Sequence, residues 1–311
     1  MTAYYMKNKA RKYALVLFRT LMIITMCYLF LYPIFYMGVT SIMTSESAFD
    51  PMVLYIPKGV TFENFKVAFQ LLNFSKSGIL SLVITVFSSL GALISCALTG
   101  YAFARFRFIG KNLVFALVLL MIIVPQQTLI MPNYLQYRFF DLGGILSIFG
   151  VQINLLDTPW VFVLPSFFAS GIKAGIFIFI FRQFFLGLPK ELEEAAKIDG
   201  CCAFRTFAQI MVPLALPAFI TVVMFSVIWH WNEYFSSSVY FLTDTKPIMV
   251  MLSNLKQALT ISGTVVRGAT PFQSRMYLQA GALLSILPPL VLYLFTQKYF
   301  IESIDRAGIV G

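Results

Sequence analysis

Charge is what this chain is short of. Only 12% of its 311 residues are Asp, Glu, Lys or Arg, against about a quarter in a soluble globular protein. With 59% hydrophobic residues and a mean hydropathy of +0.83, it has too little polar surface to cover a water-facing exterior. Most of the chain is therefore expected to face lipid. Ligands for a metal are equally scarce: one histidine and four cysteines, with no CxxC, leave no cluster of zinc-ligand spacing. The cysteines give no disulfide framework either. Cys27 and Cys96 lie in apolar runs, Cys201 and Cys202 are adjacent, and reduced thiols are expected. No GxxxxGK[ST] occurs, so no phosphate-cradling loop is present. Neither a Ser–Lys nor a carboxylate pair is evident, so no catalytic residue is assigned. Internal repeats and low-complexity tracts are also lacking, which argues against a self-sufficient secondary transporter.

What is present is a series of apolar runs. The net charge of +10 flanks these runs and forms no continuous stripe, which favours membrane orientation over nucleic-acid binding. After a basic N-terminus, 1–12, six spans are expected at about 13–42, 77–103, 112–132, 159–184, 212–236 and 276–299, with a tail at 300–311. Each run has about 20 or more residues, enough to cross a hydrocarbon core of roughly 30 Å. The first is too long for the core of a signal peptide and reads as an uncleaved anchor. Ser88, Ser89, Gly91, Ala92, Ser95 and Gly100 in the second run permit close helix packing. Pro125 and Pro288–Pro289 are expected to kink their spans and free backbone groups that must be satisfied inside the bundle.

Six spans put both termini on one side. Fourteen of the 23 Lys and Arg residues fall on that side, and eight fall on the other, although its loops are longer. The positive-inside rule then places the termini, the 105–111 loop and the 185–211 loop in the cytoplasm. The fold class read from the sequence is an all-α polytopic membrane protein with six transmembrane helices.

The 185–211 loop holds the most charged block in the chain, ELEEAAKIDG at 191–200. Pro189 suits a first helical turn, and Glu191, Glu193 and Glu194 sit near the positive end of the helix dipole. Leu192, Ala195, Ala196 and Ile198 make one side apolar. Gly200 can take the left-handed conformation that ends a helix, and a second helical piece leads to Pro213. The predicted element is a short helix, a glycine and a second short helix, with an Ala-lined face and an acidic rim.

That block resembles a known family. EAAKIDG at 194–200, then Ile210, Val212 and Pro213, is similar to the cytoplasmic motif of ABC importer permeases, with Val212 where Leu is usual. YAFARFRFIGKN (101–112), VPQQ (124–127), LLDT (155–158), FRQFFLGLPKELEEAAKIDG (181–200), WNEY (231–234) and QKYFIESIDRAGIVG (297–311) look like the sugar-importing branch, and in particular the maltose-type second permease. The resemblance implies a type I ABC importer permease fold in which 191–200 is a coupling helix. It further implies a non-catalytic subunit of a carbohydrate importer, forming half of an alternating-access pathway. Its partners would be a second, different permease, two cytoplasmic ATPase subunits that bind ATP and Mg, and an extracellular solute-binding protein. Glu194, Ala195, Ala196, Asp199 and Gly200 map onto the ATPase-coupling motif, and the tail 300–311 is a further candidate contact with the ATPases. An ABC permease for a non-sugar solute is the alternative. Cys201–Cys202 depart from the family's small or hydroxyl residues at those positions and are expected to act as small packing residues.

Four residues are candidates for the pathway or a gate. Lys173, near the middle of the fourth run, is expected to face protein or water because a cation deep in a bilayer is costly. It is either a pore-lining charge that favours an acidic sugar, or a residue paired in the bundle or placed near an interface by a broken span. The second is the simpler reading. Gln126 follows Pro125 and can satisfy a freed backbone group or line the pore. Asn232 and Glu233 belong to WHWNEYF, whose tryptophans read as interfacial anchors, with a place in the pathway or an outer gate as the alternative.

Overall fold

In a computed structural model the protein is described over residues 2–50, 56–141, 143–261 and 270–308. Parts of both long polar segments, 51–55 and 262–269, and the last three residues of the tail lie outside the described residues. Among the described residues the chain is helical, with two isolated bridges, Met43 to Val60 and Phe140 to Ile153, and no strand. The helices are α1 Thr2–Ile42, α2 Ser45–Phe49, α3 Glu63–Leu71, α4 Phe74–Arg105, α5 Lys111–Ile123, α6 Ile130–Arg138, α7 Ile145–Ile148 and α8 Trp160–Phe167. They continue with α9 Ala174–Gly187, α10 Glu191–Ile198, α11 Ala203–Thr206, α12 Val212–Leu214, α13 Leu216–Trp231, α14 Phe235–Tyr240, α15 Ile248–Ile261 and α16 Pro271–Gly308.

Among the described residues, three helical stretches are long and apolar enough to cross a membrane: Arg11–Ile42, Phe74–Arg105 and Pro271–Lys298. Two further stretches are bent pairs. Lys111–Ile123 meets Gln126–Arg138 at 97°, and Ala203–Leu214 meets Leu216–Trp231 at 78°. The first bend falls at Pro125, where a missing N–H and a fixed φ stop α5 as its sequence predicts. The fourth expected span, 159–184, is not one helix. Pro165 lies in the last turn of α8, and Ala169 and Lys173 both take left-handed backbone angles, φ 53° and 59°, before α9 begins. Two left-handed residues within five positions end one helix and restart another, which hydropathy alone does not reveal. By contrast α16 runs through Pro288 and Pro289 without a break and extends beyond the expected end of its span.

The chain divides into two compact units, residues 1–71 with 255–284, and residues 72–254 with 285–311. In the first unit, Asn64 donates from Nδ2 to the carbonyls of Ser41 (2.9 Å) and Met43 (2.8 Å), fixing α3 against the end of α1. Thr44 caps α2, and Phe49 packs on Phe272 with ring centroids 5.1 Å apart.

The second unit is built on α4, which packs against α8, α9 and α13. Its small residues allow this: Ser88, Ser89, Gly91, Ala92 and Gly100 are buried. At Gly100 an added Cβ would lie 2.6 Å from Phe181 Cβ and 3.0 Å from the Arg182 backbone nitrogen, so only glycine lets α4 and α9 approach this closely. Serine hydroxyls then tie the helices together. Ser95 donates to the Ser166 carbonyl at 2.6 Å, and Ser226 donates to Ser89 at 3.0 Å while also touching His230. Trp231, which the sequence suggested as an interfacial anchor, is instead buried, and its Nε1 donates to the Ser285 carbonyl at 2.9 Å. Two apolar clusters fill the unit. One gathers Tyr101, Phe177, Phe181, Phe185, Phe207 and Met211, and the other Ile84, Ile130, Phe162, Tyr240 and Phe241.

Candidate functional site

α10 forms where the sequence places it. Glu191, Glu193 and Glu194 occupy its first turn, where their charge complements the unpaired amides. Its C-terminus is closed by two reversed hydrogen bonds, Gly200 N–H to Lys197 O at 3.1 Å and Cys201 N–H to Ala196 O at 2.9 Å. This is the Schellman arrangement, and it requires the left-handed φ of +76° that Gly200 adopts. Cys201 supplies the second of these amides. Cys202 caps α11, its carbonyl accepting from the Thr206 amide at 2.9 Å and the Thr206 hydroxyl at 3.2 Å. A π-helical turn, Phe207–Met211, and the short α12 then carry the chain into α13.

The candidate coupling residues separate by exposure. Glu194, Ala195, Asp199 and Gly200 are on the surface, and so are Ile198 (87% exposed) and Phe204 (71%). Ala196 is 2% exposed and packs inward, so its small size serves the chain's own packing.

Glu193, which sequence reasoning grouped with the other acids, turns into the protein. Its Oε1 accepts from the Tyr101 hydroxyl at 3.0 Å and lies 3.3 Å from Arg105 Nε. Arg105 also donates from Nη2 to the Leu188 carbonyl at 2.7 Å. The Arg105 side chain is 4% exposed and that of Glu193 14%. The sequence set Arg105 in a loop; in the structure it is the last residue of α4, held from both ends of the α9–α10 connection. The Tyr101 ring packs on Phe106, Phe185 and Phe207 at 5.0–5.6 Å. A polar pair at the tip of an apolar helix was a visible signal, but its partner lay 88 residues away in the chain.

The same unit holds a cleft of about 330 Å³ between α5, α6, α8, the start of α9 and α14. Its polar lining is Gln126, Asn133, Tyr137, Ser170, Lys173, Ser236 and Tyr240, and no carboxylate lines it. The structure thus brings Gln126 and Lys173 together on one surface. Lys173 is exposed at the α8–α9 break, with Nζ 6.0 Å from the Trp229 ring centroid. Asn232 and Glu233 are not among the lining residues. Asn232 donates from Nδ2 to the Ile228 carbonyl at 2.9 Å and closes α13, and Glu233 accepts from the Ser236 amide at 2.7 Å at the start of α14.

One further residue escaped the sequence reading. Asp157, of LLDT, has a left-handed φ of 61°, and its Oδ1 accepts from the amides of Leu242 (2.6 Å) and Thr243 (2.9 Å) and from the Thr243 hydroxyl (3.1 Å). Its own amide donates to the Tyr240 carbonyl at 3.0 Å, so the loop before α8 is locked to the cleft wall.

A helical chain with several apolar, partly broken membrane-length stretches and a polar element between two of them defines a polytopic membrane protein. The comparisons say which. The family model for the binding-protein-dependent transport system inner membrane component matches residues 97–305, and the chain belongs to that family. The arabinooligosaccharides transport system permease protein AraQ of Bacillus subtilis (strain 168) is 30% identical over 94% of this chain and 95% of its own. The galactooligosaccharides transport system permease protein GanQ of the same organism is 27% identical over 97% and 98%. Among solved structures, a chain of a bacterial ABC transporter involved in the import of the acidic polysaccharide alginate has a TM-score of 0.73, covering 91% of this chain and 95% of that one at 23% identity. It shares the fold.

Proposed function

We propose that this chain is a permease subunit of an ATP-driven importer for a carbohydrate, an oligosaccharide, in a bacterial cytoplasmic membrane. It spans the membrane six times with both termini in the cytoplasm, α8 and α9 together making the fourth crossing. It pairs with a second permease and forms half of an alternating-access pathway. Two separate ATPase subunits bind ATP and Mg, an extracellular solute-binding protein delivers the sugar, and the chain itself does no bond chemistry.

The observation that carries this reading is α10: an acidic helix with a Schellman end that presents Glu194, Ala195, Ile198 and Asp199 outward. An exposed Ile beside paired acids suits a groove with an apolar floor and a basic rim. Family membership and the oligosaccharide permeases among its relatives support the substrate class. The cleft beside Gln126 and Lys173 is the pathway surface we assign to this half. ATP would shift the equilibrium between two packed arrangements through the docked helix.

Affinity purification from native membranes tests the reading. The chain should bring down a second permease and an ATPase, and oligosaccharide uptake into vesicles should require ATP. A chain that purifies alone and moves its substrate without ATP overturns it.

A further inference from the structure

We propose that Glu193 and Glu194, adjacent in sequence, do opposite jobs: Glu194 faces the ATPase, whereas Glu193 is a positioning residue that latches the coupling helix to α4. This rests on the importer reading above and adds which span receives the stroke.

The geometry assigns the roles. On α10 neighbouring residues point about 100° apart, so two consecutive acids cannot share one face. Glu194 is at the surface. Glu193 is nearly enclosed, and its Oε1 is engaged by the Tyr101 hydroxyl and the Arg105 guanidinium, both from the last turns of α4. Arg105 closes a ring, because its Nη2 holds the Leu188 carbonyl at the exit of α9 while its Nε faces Glu193 on α10. The hinge between α9 and α10, Leu188–Lys190, is therefore bridged by one side chain rooted in α4. A force on α10 cannot simply fold that hinge; it must move α4 or break a nearly buried ion pair. The close α4–α9 approach at Gly100 lies within one and a half turns of this ring, so α9 is carried along. α4 in turn packs on α8, which lines the cleft, and on α13.

The test uses the complete transporter with its own ATPases, purified from membranes and reconstituted in vesicles. Glu193→Gln removes the charge but keeps an oxygen for the Tyr101 hydroxyl. It should retain the ATPase subunits through size-exclusion chromatography and hydrolyse ATP, while uptake per ATP falls at least tenfold. Glu194→Gln should instead lose the ATPase subunits at working concentration. Tethering then separates a latch from general damage: Tyr101→Cys with Glu193→Cys, joined by a short bis-maleimide, should regain uptake per ATP that the same double variant lacks when unjoined. Wild-type coupling in Glu193→Gln overturns the proposal, as does loss of ATPase binding equal to that of Glu194→Gln. A tethered pair that stays uncoupled overturns it too. An unaltered chain with no ATPase bound would defeat the importer reading itself, a separately visible result.

Discussion

The two ends of the α4-centred unit handle polar groups in opposite ways. At the α10 end, Glu193 accepts a hydrogen bond from Tyr101 and forms an ion pair with Arg105, almost out of contact with solvent. At the cleft, Lys173 is exposed, and the contact resolved for its ammonium is a ring 6.0 Å away. Breaking a buried ion pair by removing one partner costs about 3–5 kcal/mol, whereas an exposed cation–π contact contributes about 0.5–1 kcal/mol. One end is therefore built to stay together while it moves, and the other to exchange partners. In the alternating-access importer proposed above, that is the difference between the transmission and the pathway surface we assign.

The largest effect should come from breaking the frame both ends share. Gly100→Val would drive a Cβ to 2.6 Å from Phe181 Cβ, where backbone as well as side chain must shift. Overpacking costs about 1–3 kcal/mol and sometimes more, so the variant should accumulate poorly in membranes and melt early in detergent. Normal yield and melting would mean that α4 and α9 do not pack as described. Asp157→Ala should come next, because it removes the acceptor of three hydrogen bonds. These bonds lie at the surface, so each contributes at the low end of the net range, about 0.5 kcal/mol, and the loss should appear as faster amide exchange at 240–243 with α10 unaffected. Exchange that rises equally at both ends would erase the distinction between them.

Gly200→Val should strain the turn after α10 by about 1–2 kcal/mol, since a branched side chain tolerates the left-handed region badly. Insertion should be unchanged and ATP-driven uptake abolished; uptake at the normal rate would remove the turn from the coupling path. A smaller change is expected at the cleft. Lys173→Ala should leave the transporter assembled and alter uptake several-fold, more for acidic than for neutral oligosaccharides. If every sugar tested moves at the unaltered rate, Lys173 is not on the pathway. Cys202→Ser should do least, because its resolved role is a backbone cap, and a measurable loss of ATPase binding would give its side chain a place at the docking face.

How much of this the sequence carried depends on the range of the interaction. Local chemistry was legible. The small residues of α4 predicted its close packing, Pro125 its bend, and Gly200 the left-handed end of α10, each because the determinant lies within a few residues of its effect. The break between α8 and α9 was legible only as one option for Lys173, a broken span; its place was not, because Ala169 and Lys173 are not residues that announce a left-handed backbone and hydropathy runs smoothly across them. The resemblance singled out Glu194 for the coupling motif, but nothing in the sequence pointed to the inward partners of Glu193. The difference between the two acids is set by Arg105, in another helix, and the same holds for Asp157 and the amides 85 residues beyond it.

The bond from Trp231 Nε1 to the Ser285 carbonyl has a further meaning. A residue at 289 would ordinarily give its amide proton to the carbonyl four places earlier, but Pro289 has none to give. The proline pair thus opens a vacancy in the spine of α16, and an indole from α13 fills it at 2.9 Å. A helix defect becomes a socket, and Trp231 is the plug. What reads in sequence as a weakness of the last helix is the place where that helix is fastened to its neighbour.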